Sequence, residues 1–491
     1  MKPNHLSQPL GTLFLFLIAC SFTSNLFSQT VTRGAYLQRG GKTSITLRWT
    51  TDVATNSRVR IGTTYDATGN YSTIINDGAS VTDHTVIVTG LTTDTKYFYS
   101  IGSSTTVLQV STSNFFTTAP AANTTRKIRI AAFGDCGREG TTGTTNQTNS
   151  LAGYKTFLTN NSIDAPDAWV LLGDNAYDVG SDAEYGTKFF TPYDGGTNKI
   201  LRNHKLYATP GNHEYNFSQS VAARISRTWP YFTVFNFPQG GDCGGTASGV
   251  SNYFSYDIGN IHFLSLDSHG MENTAGNPWM GSPTATTQAM KTWITNDLNT
   301  VAASANPPKW IIAYWHHPPY SKGSHNSDAV ADQQMIDIRQ NFITFLEQKG
   351  VDLIIGGHSH AYERSRLVKG YTGTWAGFVP ATHSVSNTLT AKWDGAANSA
   401  PFKYNSTPLD HGTVYVVAGN AGAVNSSTTG FAGASSIMPW ATTSAGTFFI
   451  EVEDNRLDGR MIDQSGGTFD KFTIIKDGEA SETVSPNFRP R

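Results

Sequence analysis

The fold of this chain is decided by the stretch Ile128-Arg129-Ile130-Ala131-Ala132-Phe133-Gly134-Asp135-Cys136-Gly137, where an apolar run of strand length stops at a glycine-containing polar turn. The same arrangement recurs four more times further along the chain. The later blocks are Gly173-Asp174-Asn175-Ala176-Tyr177, Gly211-Asn212-His213-Glu214, Trp315-His316-His317-Pro318 and Gly357-His358-Ser359-His360. Residues 151–158, 286–298 and 332–348 have the apolar spacing of helices. Strands alternating with helices predict a layered α/β domain of β-sheets flanked by helices.

The five polar blocks are expected to meet at one edge of this domain, because ligands bind outside the carboxyl ends of strands in layered α/β folds. Together they supply Asp, Tyr, Asn and His. Hard oxygens mixed with imidazoles are the ligands of a transition-metal pair that activates water, rather than of a structural zinc site. Taken singly, Asp135 or Asp174 could cap a turn, and Tyr177 could be a core residue. The recurrence at five strand ends favours a metallohydrolase.

A separate N-terminal β-domain is predicted for residues 30–119. Short β-rich segments at 44–49, 57–61, 84–88 and 97–101, separated by turn signals, indicate an antiparallel sandwich. With Trp49 in its core, this region resembles a fibronectin type III module, and a spacer without chemistry is its simplest role.

The rest of the chain is divided as follows. A linker at 120–126 leads into a catalytic domain at 127–476, which includes an insertion at about 371–404 near the site, and a polar tail follows at 477–491.

The composition of the chain limits the classes of partner that the protein could bind. A chain of 491 residues is long enough for two or more domains. A net charge of -2 with only 15% charged residues leaves no basic surface for a nucleic acid, so no nucleic-acid partner is expected. No apolar run after the N-terminal one reaches the ~20 residues that a membrane-spanning helix needs.

The N-terminus indicates export. Lys2 and His5 precede an apolar run at 13–19, which predicts a signal peptide over residues 1–29 and a secreted or periplasmic protein. Alternatively, Cys20 is acylated and anchors a lipoprotein at the cell surface. For Cys136 and Cys243, a disulfide or inert thiols are favoured over Cys136 as a thiolate ligand.

The order of the five blocks resembles the purple acid phosphatases, a group within the calcineurin-like metallophosphoesterase superfamily. The resemblance covers nearly the whole chain, including residues 33–38 and 412–419, and Tyr177 is the discriminating residue. It implies a ferric site held by Asp135, Asp174, Tyr177 and His360. It also implies a site for a divalent zinc, manganese or iron ion held by Asp174, Asn212, His316 and His358. Alignment on Pro318 favours His316 over His317, since neighbours in an extended segment face opposite ways.

The resemblance further implies an acid phosphatase that hydrolyses small phosphate monoesters. The attacking group would be a hydroxide activated at a binuclear Fe(III)–M(II) centre. Asn212, His213 and His325 would bind the substrate, with His213 and His325 as the catalytic histidines. A solvated loop position is the alternative for His325. The alternative functions are a phosphodiesterase or nucleotide hydrolase on the same two-metal core, and a surface binding protein with an inactive metal domain.

Overall fold

The computed structural model describes residues 29–138, 145–215, 226–269, 285–386, 388–425 and 436–478, together with Met1 and Phe431. Nearly all of the predicted signal peptide, with Cys20, and residues 479–491 of the predicted tail lie outside this part of the chain. Among the helices described, none is long and apolar enough to cross a membrane.

The chain forms twenty described strands. They are β1 Val31–Gln38, β2 Ile45–Gly62, β3 Thr73–Val88, β4 Lys96–Gly102, β5 Val107–Gln109, β6 Phe115–Thr117, β7 Ile128–Phe133, β8 Ala168–Leu171, β9 Lys205–Ala208, β10 Phe254–Ile258, β11 Ile261–Ser265, β12 Trp310–Tyr314, β13 Leu353–Gly356, β14 Tyr362–Val368, β15 Phe402–Tyr404, β16 Thr413–Ala418, β17 Trp440–Thr442, β18 Gly446–Glu453, β19 Arg456–Asp463 and β20 Thr468–Lys476.

The described helices are fewer than the described strands and lie mostly between them. They are α1 Asn146–Asn160, α2 Asp182–Glu184, α3 Thr191–Asp194, α4 Pro230–Val234, α5 Ala285–Ala302, α6 Gln333–Asn341, α7 Ile343–Gln348 and α8 Pro380–His383. A π-helical segment at Tyr185–Phe190 joins α2 to α3, and 3-10 turns occur at Ile200–Arg202, Val330–Asp332 and Trp375–Gly377.

The N-terminal domain contains β1 to β6 and has its own hydrophobic core around Trp49, Val59 and Tyr99. The segments predicted as two strands at 44–49 and 57–61 are one long strand, β2, which pairs with β1, β3 and β4. The pairing of β2 with β3 shifts register between Thr50 and Ser57. Such irregularities bend a strand locally, and β2 pairs with β1 before them and with β4 after them.

The catalytic domain is built on two sheets. In the first, β7, β8 and β9 are parallel neighbours, and β18 to β20 extend the sheet beyond β7. In the second, β11, β12, β13 and β16 run parallel, with β10 antiparallel at one edge and β14 and β17 at the other. Each of the five polar blocks therefore follows the carboxyl end of a parallel strand.

The two sheets enclose the main core, to which Ile130 and Val170 contribute from the first sheet and Ile312 and Ile355 from the second. Helix α1 contacts the outer side of the first sheet. Helices α5, α6 and α7 pack on the second sheet, where Ile294 and Phe342 join Ala313 in a further buried cluster. This arrangement, behind a strand-rich N-terminal domain, confirms the predicted fold class.

The two domains are connected by strand pairing and side-chain hydrogen bonds as well as by the covalent linker. Strand β1 pairs in parallel with β9, with Leu37 opposite Lys205, so that one sheet of thirteen strands runs through both domains. At the predicted linker, Arg126 donates to Asp94 of the N-terminal domain and to Asp167 beside β8, at 2.8 and 2.6 Å. The sandwich thus supports the strand that leads into the third polar block.

Candidate active site

Sharp turns after the strands bring the predicted ligands close together. Asp135, Asp174 and His358 have left-handed backbone conformations, with φ of 54°, 54° and 64°. Non-glycine residues adopt this conformation at a cost, and it is often found at functional sites. Each of the three residues directly follows a glycine, namely Gly134, Gly173 or Gly357.

Two glycines show how closely the blocks approach each other. A Cβ atom at Gly357 would lie 2.6 Å from Oδ2 of Asp135, and one at Gly211 would overlap the carboxylate of Asp174. Both distances are below any normal contact. Glycine is therefore required where the third and fifth blocks pass the two aspartates.

The first group of predicted ligands surrounds Asp135, which is fully buried. Its Oδ1 accepts a hydrogen bond from the Tyr177 hydroxyl at 2.8 Å, and its Oδ2 accepts the backbone N–H of His358 at 2.8 Å. Nε2 of His360 lies 3.5 Å from Oδ1 of Asp135 and 3.2 Å from the Tyr177 hydroxyl. The three side chains predicted to share one ion with Asp174 thus converge.

The second group surrounds the amide of Asn212. Its Oδ1 lies 2.8 Å from Nε2 of His316 and 3.0 Å from Nδ1 of His358. Nε2 of His316 is also 3.4 Å from Oδ2 of Asp174, while Oδ1 of Asp174 accepts the backbone N–H of His213 at 3.0 Å. Asp174, the residue that both predicted ligand sets share, thus contacts the second group directly.

The structure distinguishes the two neighbouring histidines. Nδ1 of His316 lies 2.8 Å from the carbonyl oxygen of Leu172, so this nitrogen carries a proton and Nε2 is the nitrogen that could become a ligand. His317 instead contacts the Ser268 hydroxyl through Nδ1 at 2.8 Å. Its ring still borders the site, with its centroid 4.3 Å from that of His358. The two residues therefore have different partners, although both have a ring nitrogen close enough to His358 for the three to form a possible metal-holding group.

His213 has its ring over Tyr177, with the centroids 4.2 Å apart. Its Nδ1 lies 2.5 Å from the carbonyl oxygen of Asp178 and must donate to it. Nε2 is then directed toward Asp174, at 3.8 Å from Oδ2. This places Nε2 at the cavity, as the prediction for a substrate-binding histidine requires.

His325 reaches the site from the loop after the fourth block. Its ring stacks on that of His358 at a centroid distance of 3.8 Å, and Nδ1 lies 2.7 Å from Oδ1 of Asp332. The loop is held to the fifth block, since Ser359 contacts Ser321 at 2.7 Å and Glu363 accepts the Lys322 N–H at 3.1 Å. The predicted insertion contacts the loop too, because the Trp375 backbone N–H donates to Oδ2 of Asp328 at 2.9 Å.

The electrostatics of the site fit a pair of bound cations. Asp135 and Asp174 are both almost wholly buried, and two carboxylates in one buried site repel each other. Burial raises the pKa of Asp174, but the charges of His316 and His213 outweigh it and hold the pKa well below its ordinary value. Burial and the charges of Asp135 and Asp174 raise the pKa of Tyr177 well above its ordinary value. Tyr177 can be a phenolate ligand only beside a strongly polarising cation.

The two cysteines in the described part of the chain are free. Cys136 and Cys243 form no disulfide and are both buried. Burial raises the pKa of each thiol to about 12, so both are protonated at neutral pH. Of the alternatives considered from the sequence, inert thiols agree with this structure.

A cavity of about 280 Å³ opens over both groups. The sequence did not single out four of the residues that line it, which are Arg138, Ala331, Asp332 and Gln334. Arg138 directly follows the first block, and its guanidinium lies 5.1 Å from the centre of the Tyr177 ring. Its position next to the first block could have identified Arg138 as a site residue from the sequence. Asp332 had no such signal, because six residues without a recognisable motif separate it from His325.

Two family models match the chain. Residues 128–362 match the calcineurin-like phosphoesterase model, and residues 33–118 match the purple acid phosphatase N-terminal domain. Among curated proteins, purple acid phosphatase 15 of Arabidopsis thaliana is 26% identical over 308 residues, which are 59% of this chain and 50% of that protein. Acid phosphatase type 7 of Danio rerio is 26% identical over 356 residues, covering 66% of this chain and 69% of that protein.

Solved structures show the same fold. Purple acid phosphatase PPD1 from yellow lupin seeds superposes with a TM-score of 0.60 at 17% identity, covering 90% of this chain and 74% of that one. The structure of PhoD superposes with a TM-score of 0.59 at 13% identity, covering 91% and 90%. The match with the first Arabidopsis relative spans about half of that protein's length.

Residues 128–362 thus form a calcineurin-like phosphoesterase domain, and the fold is the one seen in the superposed structures. The N-terminal domain that precedes it matches the purple acid phosphatase N-terminal domain, and the curated relatives include purple acid phosphatase 15. The resemblance stated from the sequence is thereby confirmed. The fibronectin type III likeness of the N-terminal domain and the individual ligand assignments stay predictions.

Proposed function

We propose that this protein hydrolyses small phosphate monoesters at a binuclear centre of Fe(III) and a divalent ion. The observation that carries the proposal is the convergence of both predicted ligand groups on Asp174 and Asp135 beneath one open cavity. Asp135, Asp174, Tyr177 and His360 would hold the ferric ion. Asp174, Asn212, His316 and His358 would hold zinc, manganese or iron as the divalent ion.

When bound, the metal pair supplies the Lewis acidity that activates water and offsets the charge of the phosphoryl group. The chain's own contribution begins with orientation. Hydrogen bonds to the backbone carbonyl oxygens of Leu172 and Asp178 fix which nitrogen of His316 and His213 faces the site. These histidines then need no rearrangement when a substrate enters.

Substrate contacts are assigned to Asn212, His213 and His325. The Asn212 amide turns Oδ1 toward the two histidine ligands, which leaves Nδ2 as a donor for a phosphoryl oxygen. Nε2 of His213 would hold the proton that the leaving oxygen accepts. His325, on the other wall of the cavity, would bind the same phosphoryl group.

Two spectra test the ferric site. The protein purified with its native metals should show a tyrosinate-to-iron charge-transfer band in the visible region, and Tyr177→Phe should lose it. Tyr154→Phe is the matched control, because Tyr154 is equally buried but bonds to His204 at 2.9 Å, outside the site. Iron bound without such a band would contradict the assignment of Tyr177.

Substrate class is tested on the same preparations. Steady-state rates with p-nitrophenyl phosphate and with bis(p-nitrophenyl) phosphate should favour the monoester. Faster hydrolysis of the diester would support the phosphodiesterase alternative. Hydrolysis of neither ester by protein with both ions bound would favour a binding protein.

A further inference from the structure

Asp332 is a carboxylate at the cavity that neither the sequence patterns nor the ligand assignments account for. It ends the 3-10 turn Val330–Asp332, immediately before α6. Its Oδ1 lies 2.7 Å from Nδ1 of His325, and its Oδ2 accepts the backbone N–H of Asn326 at 2.8 Å. Both carboxylate oxygens are therefore engaged by the loop that carries His325.

The contact between Asp332 and His325 bears on the site because His325 lies against His358. Its ring stacks on His358 with an interplanar angle of 29°, so the imidazole lies flat against a predicted metal ligand. An ionised carboxylate only accepts hydrogen bonds, so the nitrogen facing Asp332 must carry a hydrogen. The other nitrogen, Nε2, is the one left for a ligand in the cavity.

We propose that Asp332 is a positioning residue that holds His325 as the Nδ1–H tautomer and keeps Nε2 available to the phosphoryl group. The proposal rests on the proposed function for its catalytic consequence. The tautomer itself is a property of the folded protein and is measurable without any substrate. Removal of the carboxylate should therefore change one imidazole rather than the fold.

The loop is secured independently of Asp332. Glu363 accepts the backbone N–H groups of Lys322 and Gly323 at 3.1 and 3.2 Å. Arg339 of α6 donates to the Ser327 carbonyl at 2.6 Å and pairs with Asp328 at 3.1 Å. These bonds hold both sides of His325, so a substitution at Asp332 leaves the loop attached to the second sheet.

Asp332→Asn should invert the tautomer. The backbone N–H of Asn326 can only donate, so the single amide oxygen of the new side chain must turn toward it. The amide nitrogen, also a donor, then faces Nδ1 of His325. The imidazole can adapt by moving its hydrogen to Nε2, whereas the backbone cannot.

The test is the histidine nitrogen spectrum of the full-length protein, labelled with nitrogen-15 at histidine and loaded with zinc, which is diamagnetic. His325→Gln assigns the signal by its loss. In the alkaline part of a pH series, wild-type His325 should be protonated at Nδ1 and Asp332→Asn should show protonation at Nε2. Asp337→Asn is the matched control, because Asp337 lies on α6 and bonds to Gln333 at 2.7 Å.

Two results would overturn the proposal. One is a wild-type His325 protonated at Nε2, which decides the question even if the variant does not fold. The other is an unchanged tautomer in folded Asp332→Asn. Neither depends on catalysis, so a protein inactive on every phosphate ester would refute the proposed function while leaving this result standing.

Kinetics then test the catalytic consequence. Asp332→Asn should lower kcat/KM for p-nitrophenyl phosphate by about 10–100-fold, the usual effect of removing such an orienting partner. In a His325→Gln background the same substitution should have almost no further effect. An equal loss in both backgrounds would contradict a role through His325. Reduced metal content in Asp332→Asn would show instead that the carboxylate acts on the metal-ligand side, at His358, which lies 4.0 Å away.

Discussion

Nδ1 of His316 donates a hydrogen bond to the carbonyl oxygen of Leu172 over 2.8 Å. The bond joins the end of β12 in the second sheet to the end of β8 in the first. Because it occupies Nδ1, the other nitrogen of His316 faces Asn212 and Asp174. One contact between the two sheets therefore decides how a predicted metal ligand is presented.

His316→Ala should lower the affinity for the divalent ion at least about 10-fold, whereas His317→Ala should leave metal content near wild type. The reason is that only Nε2 of His316 contacts both Asp174 and Asn212. Metal analysis of the two purified variants checks this. Loss of metal in His317→Ala alone would reverse the assignment.

Glu214→Gln should destabilise the fold by about 2–4 kcal/mol and release metal. The buried Glu214 carboxylate accepts the backbone N–H groups of Gly211, Asp174 and Asn175 at 2.7, 2.8 and 2.7 Å. A glutamine would present N–H groups to these donors and displace Asp174. Denaturant unfolding and metal analysis measure the two effects.

Glu347→Gln serves as the control for Glu214→Gln. Glu347 is equally buried and accepts the Tyr415 hydroxyl and the Gly370 N–H at 2.7 and 2.6 Å, away from the site. Its loss should lower stability without loss of metal. Metal release from both variants would show that general destabilisation is the cause.

Gly211→Ala should cost about 1–3 kcal/mol of stability and lower activity, because the new methyl group would overlap the Asp174 carboxylate. Gly78→Ala, on β3 of the N-terminal domain, has open space around it and should change neither property. Unfolding midpoints and rates on p-nitrophenyl phosphate report both effects. Wild-type activity in Gly211→Ala would mean that the third block can move away from Asp174.

The stability of the fold should depend on pH through His262. Nδ1 and Nε2 lie 2.7 and 2.8 Å from the carboxylates of Asp257 and Asp297. Burial lowers the pKa of His262, but the hydrogen bonds and charges of these two carboxylates outweigh it and raise the pKa to about 9. The stabilisation is therefore complete below the unfolded pKa of about 6.5 and is lost as the pH rises through about 9.

The stabilisation that charged His262 contributes should be on the order of 3 kcal/mol. Denaturant unfolding of wild type and His262→Gln at about pH 6 and about pH 10 should show a stability difference that shrinks at the higher pH. A constant difference would contradict a charged His262. His84 is a control of opposite sign, since burial lowers its pKa and the loss should occur as the pH falls.

Much of the fold could be predicted from local patterns. The run Ile128–Phe133 followed by Gly134 and Asp135 is visible as a strand and turn without knowledge of any other residue. The helix expected at 332–348 was also visible, but the structure divides it at Phe342 into α6 and α7. Its apolar spacing is continuous across the break, so the pattern could not reveal it.

The pairing of β1 with β9 had no comparable signal. Leu37 and Lys205 are separated by most of the N-terminal domain and two strands of the catalytic domain. Hydrogen-bonded pairing between such distant segments depends on how both domains pack, which no window of sequence contains. The two strands predicted at 44–49 and 57–61 likewise form one strand, β2, because the pairing with β3 continues on both sides of the residues between them.

The sequence alone predicts which residue types stand at the ends of the parallel strands, because strand periodicity and glycine turns are local properties of the chain. It also determined that these side chains are suited to a pair of metal ions. The tertiary structure decided which nitrogen of His316 faces Asp174, and it brought Asp332 to His325. Those relationships depend on distances between atoms that only the packing of two sheets and one loop establishes.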